Sequence, residues 1–150
     1  MLLTKCCRCI RQLLMSDMWK TKLMDMNIIS SFVSLLKCDH QGDFSSVNTS
    51  IYLTIICVEI QLLENVVGGF ASLTLRNLVA VSTIHAHGGI NEILKIMRSC
   101  DDAKVLRQCC ILVRNMAVRN VDVKVKTLMC FTSCFSLNSF YLCAELSYVD

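Results

Sequence analysis

Ile90-Asn91-Glu92-Ile93-Leu94-Lys95-Ile96-Met97-Arg98, followed by Ser99-Cys100-Asp101-Asp102 and then by residues 103–118, is the stretch on which the fold turns. Ile90, Ile93, Leu94 and Met97 recur at i, i+3, i+4 and i+7, with Asn91, Glu92, Lys95 and Arg98 facing outward. That period predicts an amphipathic helix over 90–98. Leu106, Cys109, Cys110, Val113 and Ala117 repeat the pattern and predict a second helix over 103–118. Residues 99–102 between them read as a loop. One of its two aspartates suits the N-cap, where a side-chain oxygen accepts from the first free backbone N–H groups.

Outward from this pair the same period recurs. Leu3, Cys6, Cys7, Ile10 and Leu14 predict a helix over 3–14, and Phe32, Leu35 and Leu36 lie on a helix over 28–37. Residues 39–50 are polar and read as a loop. Residues 51–66 open with β-branched side chains of strand propensity, but their helical neighbours favour a helix. Gly68-Gly69 and Gly88-Gly89 read as punctuation between helices, the first followed by a helix over 70–81. Proline is absent, so no helix is interrupted on that account. The expected fold class is all-α.

Composition narrows the function classes. Of 150 residues, 54% are hydrophobic and 18% charged, against roughly 45–50% and 25% in an ordinary soluble domain. The excess apolar surface calls for a partner, further chain or a membrane. A net charge of +3, without lysine runs or interleaved aromatics, argues against nucleic acid as partner. Basic residues interrupt the first apolar residues too early for a secretory signal. The lack of acidic residues before Asp17 leaves a mitochondrial targeting helix open beside a plain first helix. The 11 cysteines are an odd number and read as core thiols of a chain in the cytoplasm or nucleus. Cys130 and Cys134 form at most one half of a zinc site, and no second half stands out beside His85 and His87. No metal or cofactor is therefore expected, and a structural zinc protein is the third choice of class. No phosphate loop, zinc-protease motif or serine elbow is present, so no enzyme is expected. Residues 127–144 carry no charge. That approaches the roughly 20 residues of a membrane span and makes membrane anchoring through 127–144 the second choice.

Segments of the chain also repeat. Residues 3–14 align with 106–117 at a shift of 103, with Leu, Cys, Cys and Arg at matching places. Residues 29–37 align with 90–98, and residues 71–79 give a third copy in which Arg76-Asn77 matches Arg114-Asn115. A unit of this kind buries its apolar face only by stacking on its neighbours. On Leu75-Arg76-Asn77-Leu78-Val79-Ala80, His87-Gly88-Gly89-Ile90-Asn91-Glu92-Ile93-Leu94 and residues 109–117, the chain resembles the armadillo repeat family over about two thirds of its length. The resemblance implies a helical repeat solenoid, here short and irregular. The expected units are a first repeat over 1–38, an insertion and connecting helix over 39–69, two partial repeats over 70–118 and an atypical apolar tail over 119–150.

The spacing departs from the family's unit of about 42 residues: Arg11 to Arg76 is 65 residues and Arg76 to Arg114 is 38. Residues 81–86 look too short for the family's small first helix. The array thus reads as a truncated or edited piece of a longer one. The resemblance further implies a protein or peptide partner held along the third helices, where an amide on each repeat clamps the backbone of an extended peptide. Asn77, Asn115 and Gln12 match that position, with Arg76 and Arg114 beside them. Four residues earlier, where import receptors carry tryptophan, stand Leu73, Ile111 and Arg8, so slots for lysine stems are missing. A plainer role for Asn77 and Asn115, capping a neighbouring turn, stands open beside the peptide-facing one.

Overall fold

The computed structural model describes residues 1–37 and 49–118, together with Val125. The described residues form seven helices and no strand: α1 Leu2–Leu13, α2 Asp17–Asp25, α3 Ile28–Lys37, α4 Thr49–Thr74, α5 Leu78–Ala86, α6 Gly89–Ser99 and α7 Ala103–Ala117. The fold class is all-α. The predicted 39–50 loop lies mostly, and the 127–144 tail wholly, outside the described residues.

The helices fall into two consecutive triplets, α2–α3–α4 and α5–α6–α7, preceded by α1. Within each triplet the first helix packs on the second and the second on the third. Between triplets α3 packs on α6, while α4 lies between α1 and α7 and makes the most extensive helix contacts with both. The triplets keep register. A shift of 61 residues lays α2 on α5 from end to end, and lays the buried Ile29, Phe32, Val33 and Leu36 on the buried Ile90, Ile93, Leu94 and Met97. A shift of 43 lays Leu62, Val66, Val67, Phe70 and Leu73 on Val105, Cys109, Cys110, Val113 and Met116, all buried. The corner between the first two helices is the same in both triplets. Asn27 (φ 58°) and Gly88 (φ 77°) are both left-handed there, a conformation that glycine and asparagine adopt at least cost.

Several expectations change. Gly68-Gly69 do not separate helices; they lie inside α4, which runs unbroken to Thr74. The helix expected over 70–81 is the end of α4, a corner at Leu75 and Arg76, and the start of α5. Residues 81–86, expected to be too short for a helix of their own, belong to α5, which begins at Leu78. No helix is expected at α2, whose sequence has no clear apolar stripe: its buried residues are Lys20 and Leu23. On α1 the core side is Thr4, Cys7 and the following Leu14, while Leu3 and Cys6 of the expected stripe are exposed.

The loop expected at 99–102 holds its cap. Asp102 Oδ1 accepts from the backbone N–H of Lys104 (2.9 Å) and of Val105 (3.0 Å). These are two of the four amides that a helix start leaves unpaired. Asp102→Ala is expected to lower unfolding stability by about 1 kcal/mol, with Asp102→Asn recovering most of it. Urea denaturation followed by circular dichroism would measure both, and equal losses in the two variants would contradict the cap.

Candidate binding groove

α1, α4 and α7 lie side by side, and their shared outer face carries two adjoining open cavities. One, of about 520 Å³, is lined by Gln12 from α1, Gly68 and Ser72 from α4, and Ile111, Arg114 and Asn115 from α7. The other, of about 510 Å³, is lined by Lys5, Arg8 and Gln12 from α1, Glu64 and Asn65 from α4, and Lys104 from α7. Arg11 lines both.

The glycine pair explains how α1 and α4 approach. A Cβ on Gly68 would sit 2.6 Å from Arg11 Cζ, and a Cβ on Gly69 would sit 2.7 Å from Phe32 Cε2. Gly68 thus leaves a seat for the Arg11 guanidinium of α1, and Gly69 one for the Phe32 ring of α3. Opposite outcomes follow for alanine at the two positions. Gly68→Ala meets only the far end of a flexible side chain and gains about 1 kcal/mol of helix propensity, so stability holds or rises while Arg11 is pushed off. Gly69→Ala meets a packed ring and is expected to cost about 1–3 kcal/mol. Thermal melts of the two variants should separate in that order; a Gly68→Ala chain less stable than Gly69→Ala would contradict the assignment.

Arg11 Nη1 stands 3.6 Å from Glu64 Oε1, too long for a good hydrogen bond, so the guanidinium keeps donors for other acceptors. Asn115 Nδ2 donates to the carbonyl of Ala71 (3.0 Å). This ties α7 to α4 and leaves the amide oxygen and one N–H of Asn115 over. Ser72 Oγ donates to the carbonyl of Gly68 (3.0 Å) and lies 3.6 Å from Met15 Sδ. Met15 (71% exposed) and Leu75 (51% exposed) add apolar surface at one end. Lys20, also at that end, bonds Asp17 Oδ1 at 2.7 Å, and that bond holds the Asp17 carboxyl below its usual range.

Of the residues expected to bind a partner, Gln12, Arg114 and Asn115 line one cavity together. Arg76 and Asn77 do not join them; they line a smaller neighbouring cavity of about 390 Å³. Asn77 is the N-cap of α5, its Oδ1 accepting from the Ala80 N–H at 3.1 Å. For this residue the capping role is the one the geometry supports. Arg76 is exposed at the left-handed corner before it (φ 58°). The place in register with Gln12 and Asn115 belongs to Ser72, not to Asn77 as the Arg-Asn alignment suggests. The usable signal was distance from the helix end, since Ser72 and Asn115 each stand two residues before their helix stops.

The thiols of Cys7, Cys100 and Cys109 are all raised by burial, the reverse of what an activated thiolate requires. Among the described residues no three histidine, cysteine or acidic side chains are grouped to hold a metal ion. No helix among them is long and apolar enough to cross a membrane. No protein-family model matches the chain, and neither does any curated protein or solved structure.

Proposed function

We propose that the chain is an armadillo-type helical repeat array that binds an extended segment of a protein partner across α1, α4 and α7. The observation that carries this is the row Gln12, Ser72, Asn115. Three polar side chains from three successive long helices, at matching places near the helix ends, line one open cavity. A side-chain amide offers both a donor and an acceptor and so matches a peptide backbone, which presents one of each per residue. Packed helices stand about 8–10 Å apart, and an extended chain advances about 3.3 Å per residue. A strand crossing the three helices would therefore meet a polar side chain every two to three residues. Supporting the repeat reading are the triplet order, the shifts of 61 and 43 residues and the matched corners at Asn27 and Gly88. The second choice of class, a membrane anchor at 127–144, concerns residues outside those described.

The test is a random-peptide library selected against the full chain, followed by photo-cross-linking from Gln12 on α1 and from Gln108, which lines the same cavity from α7. One peptide cross-linking to both α1 and α7 supports the groove. Selected peptides that cross-link to neither position would sink it.

A further inference from the structure

We propose that this groove selects an acidic extended segment, with Arg11 as the side chain that meets its carboxylates; the inference rests on the groove reading above. The chain carries 15 basic and 12 acidic residues, but the balance across this face is far more one-sided. Lys5, Arg8, Arg11, Lys20, Lys104 and Arg114 line the two cavities, and among the described residues Glu64 is their one acidic side chain. Setting aside Lys20, whose charge Asp17 matches, and Arg114, which has an interaction of its own, four cations still face one carboxylate among the described residues.

Arg11 is central in a literal sense, since it lines both cavities. Its guanidinium is held in the seat that Gly68 leaves open, and among the described residues its acidic neighbour is Glu64 at 3.6 Å. A guanidinium presents five N–H donors in a planar fork that fits a carboxylate through two parallel bonds. Holding it beforehand reduces the ordering cost on binding. The apolar surface of Met15, Leu75 and Ile111 at one end suits an aliphatic side chain next to the acidic residues. The same lining argues for peptide over single-stranded nucleic acid. Among the described residues no phenylalanine, tyrosine or tryptophan lines either cavity, and bases bind such grooves by stacking on aromatic rings.

The experiment is fluorescence anisotropy with the full chain and four labelled probes. These are a short peptide of glutamate, serine and leucine, the same peptide with glutamine for glutamate, the same with lysine, and a short oligothymidylate. The glutamate peptide is expected to bind about tenfold more tightly than its glutamine form, with salt weakening it, and the lysine form least. Gly68→Ala, which displaces Arg11, and the exposed pair Arg8→Glu with Lys104→Glu are each expected to weaken the glutamate peptide about tenfold. Their circular dichroism melts confirm that the variants are folded, and the second pair serves if the first fails to fold. Equal affinity for the three peptides, with cross-links still found at Gln12 and Gln108, overturns the charge selection and leaves the groove standing. Absence of binding by the glutamate peptide, binding unchanged in both variants, or tighter binding of oligothymidylate each overturns the proposal. Absence of cross-links at both positions removes the groove as well.

Discussion

Phe32→Ala should lower unfolding stability by about 3–5 kcal/mol, the range for removing a large buried aromatic side chain. Phe32 is 1% exposed, and its ring meets that of Phe70 edge-on, with centroids 5.4 Å apart and planes at 83°. Edge-to-face pairs add about 0.5–1.5 kcal/mol beyond the area they bury. The ring also lies against the backbone of α4, in the space that Gly69 leaves open. It therefore joins α3 to α4 beside Gly68, where α4 lines the groove, and a glycine cannot fill the void. Against a total of roughly 5–15 kcal/mol for an ordinary domain, this one change takes much of the margin. Urea denaturation of Phe32→Ala beside the exposed Ser31→Ala measures it. A loss below about 1 kcal/mol, no greater than the surface control, would contradict the packing of α3 on α4.

What the sequence revealed depended on whether the residues face the core. The stripe Ile90, Ile93, Leu94, Met97 is buried as the period predicts, and the aspartate expected to cap the helix over 103–118 does so as Asp102. The alignment of residues 29–37 with 90–98 holds for the same reason, since both segments fill matching core positions. The alignment of 3–14 with 106–117 put Gln12 and Asn115 in register, and they line one cavity. The third copy slipped because it followed an Arg-Asn pair. That pair occurs at 76–77 and twice further on, at 114–115 and 119–120. Only the later one is 43 residues from Arg76-Asn77, the spacing that matches the buried faces of α4 and α7. Gly68-Gly69 compounded the slip. Glycine in a helix costs up to about 1 kcal/mol relative to alanine, so a pair reads as a break. Here the missing side chains are what let Arg11 and Phe32 approach, a tertiary reason that local pattern does not carry. α2 escaped notice because one of its two buried residues is the cation Lys20, bonded to Asp17, which breaks any apolar stripe.

The stability of the chain should fall between about pH 9 and pH 12, and Cys109 is the residue expected to drive it. Its thiol is fully buried on α7, and burial pushes it up from 9.0 to about 12, with the neighbouring Cys100 adding to the rise. Below pH 9 both the folded and the unfolded chain keep this proton, and the group contributes no pH dependence. Above pH 9 the unfolded chain releases it while the folded chain holds it. The unfolded state then binds fewer protons, and stability declines at about 1.4 kcal/mol per pH unit until the folded thiol itself ionises. Cys7 and Cys100, raised in the same direction by burial, deepen the decline without changing its sign. Cys109→Val keeps a small apolar side chain in place and should stay within about 1.5 kcal/mol of the parent at pH 7.5. At pH 11 the variant should have gained on the parent by on the order of 2 kcal/mol. Urea midpoints of both chains at the two values, under reducing conditions, decide it. Parallel losses in parent and variant would mean that some other group titrates, and that Cys109 is less enclosed between α4 and α7 than its packing implies.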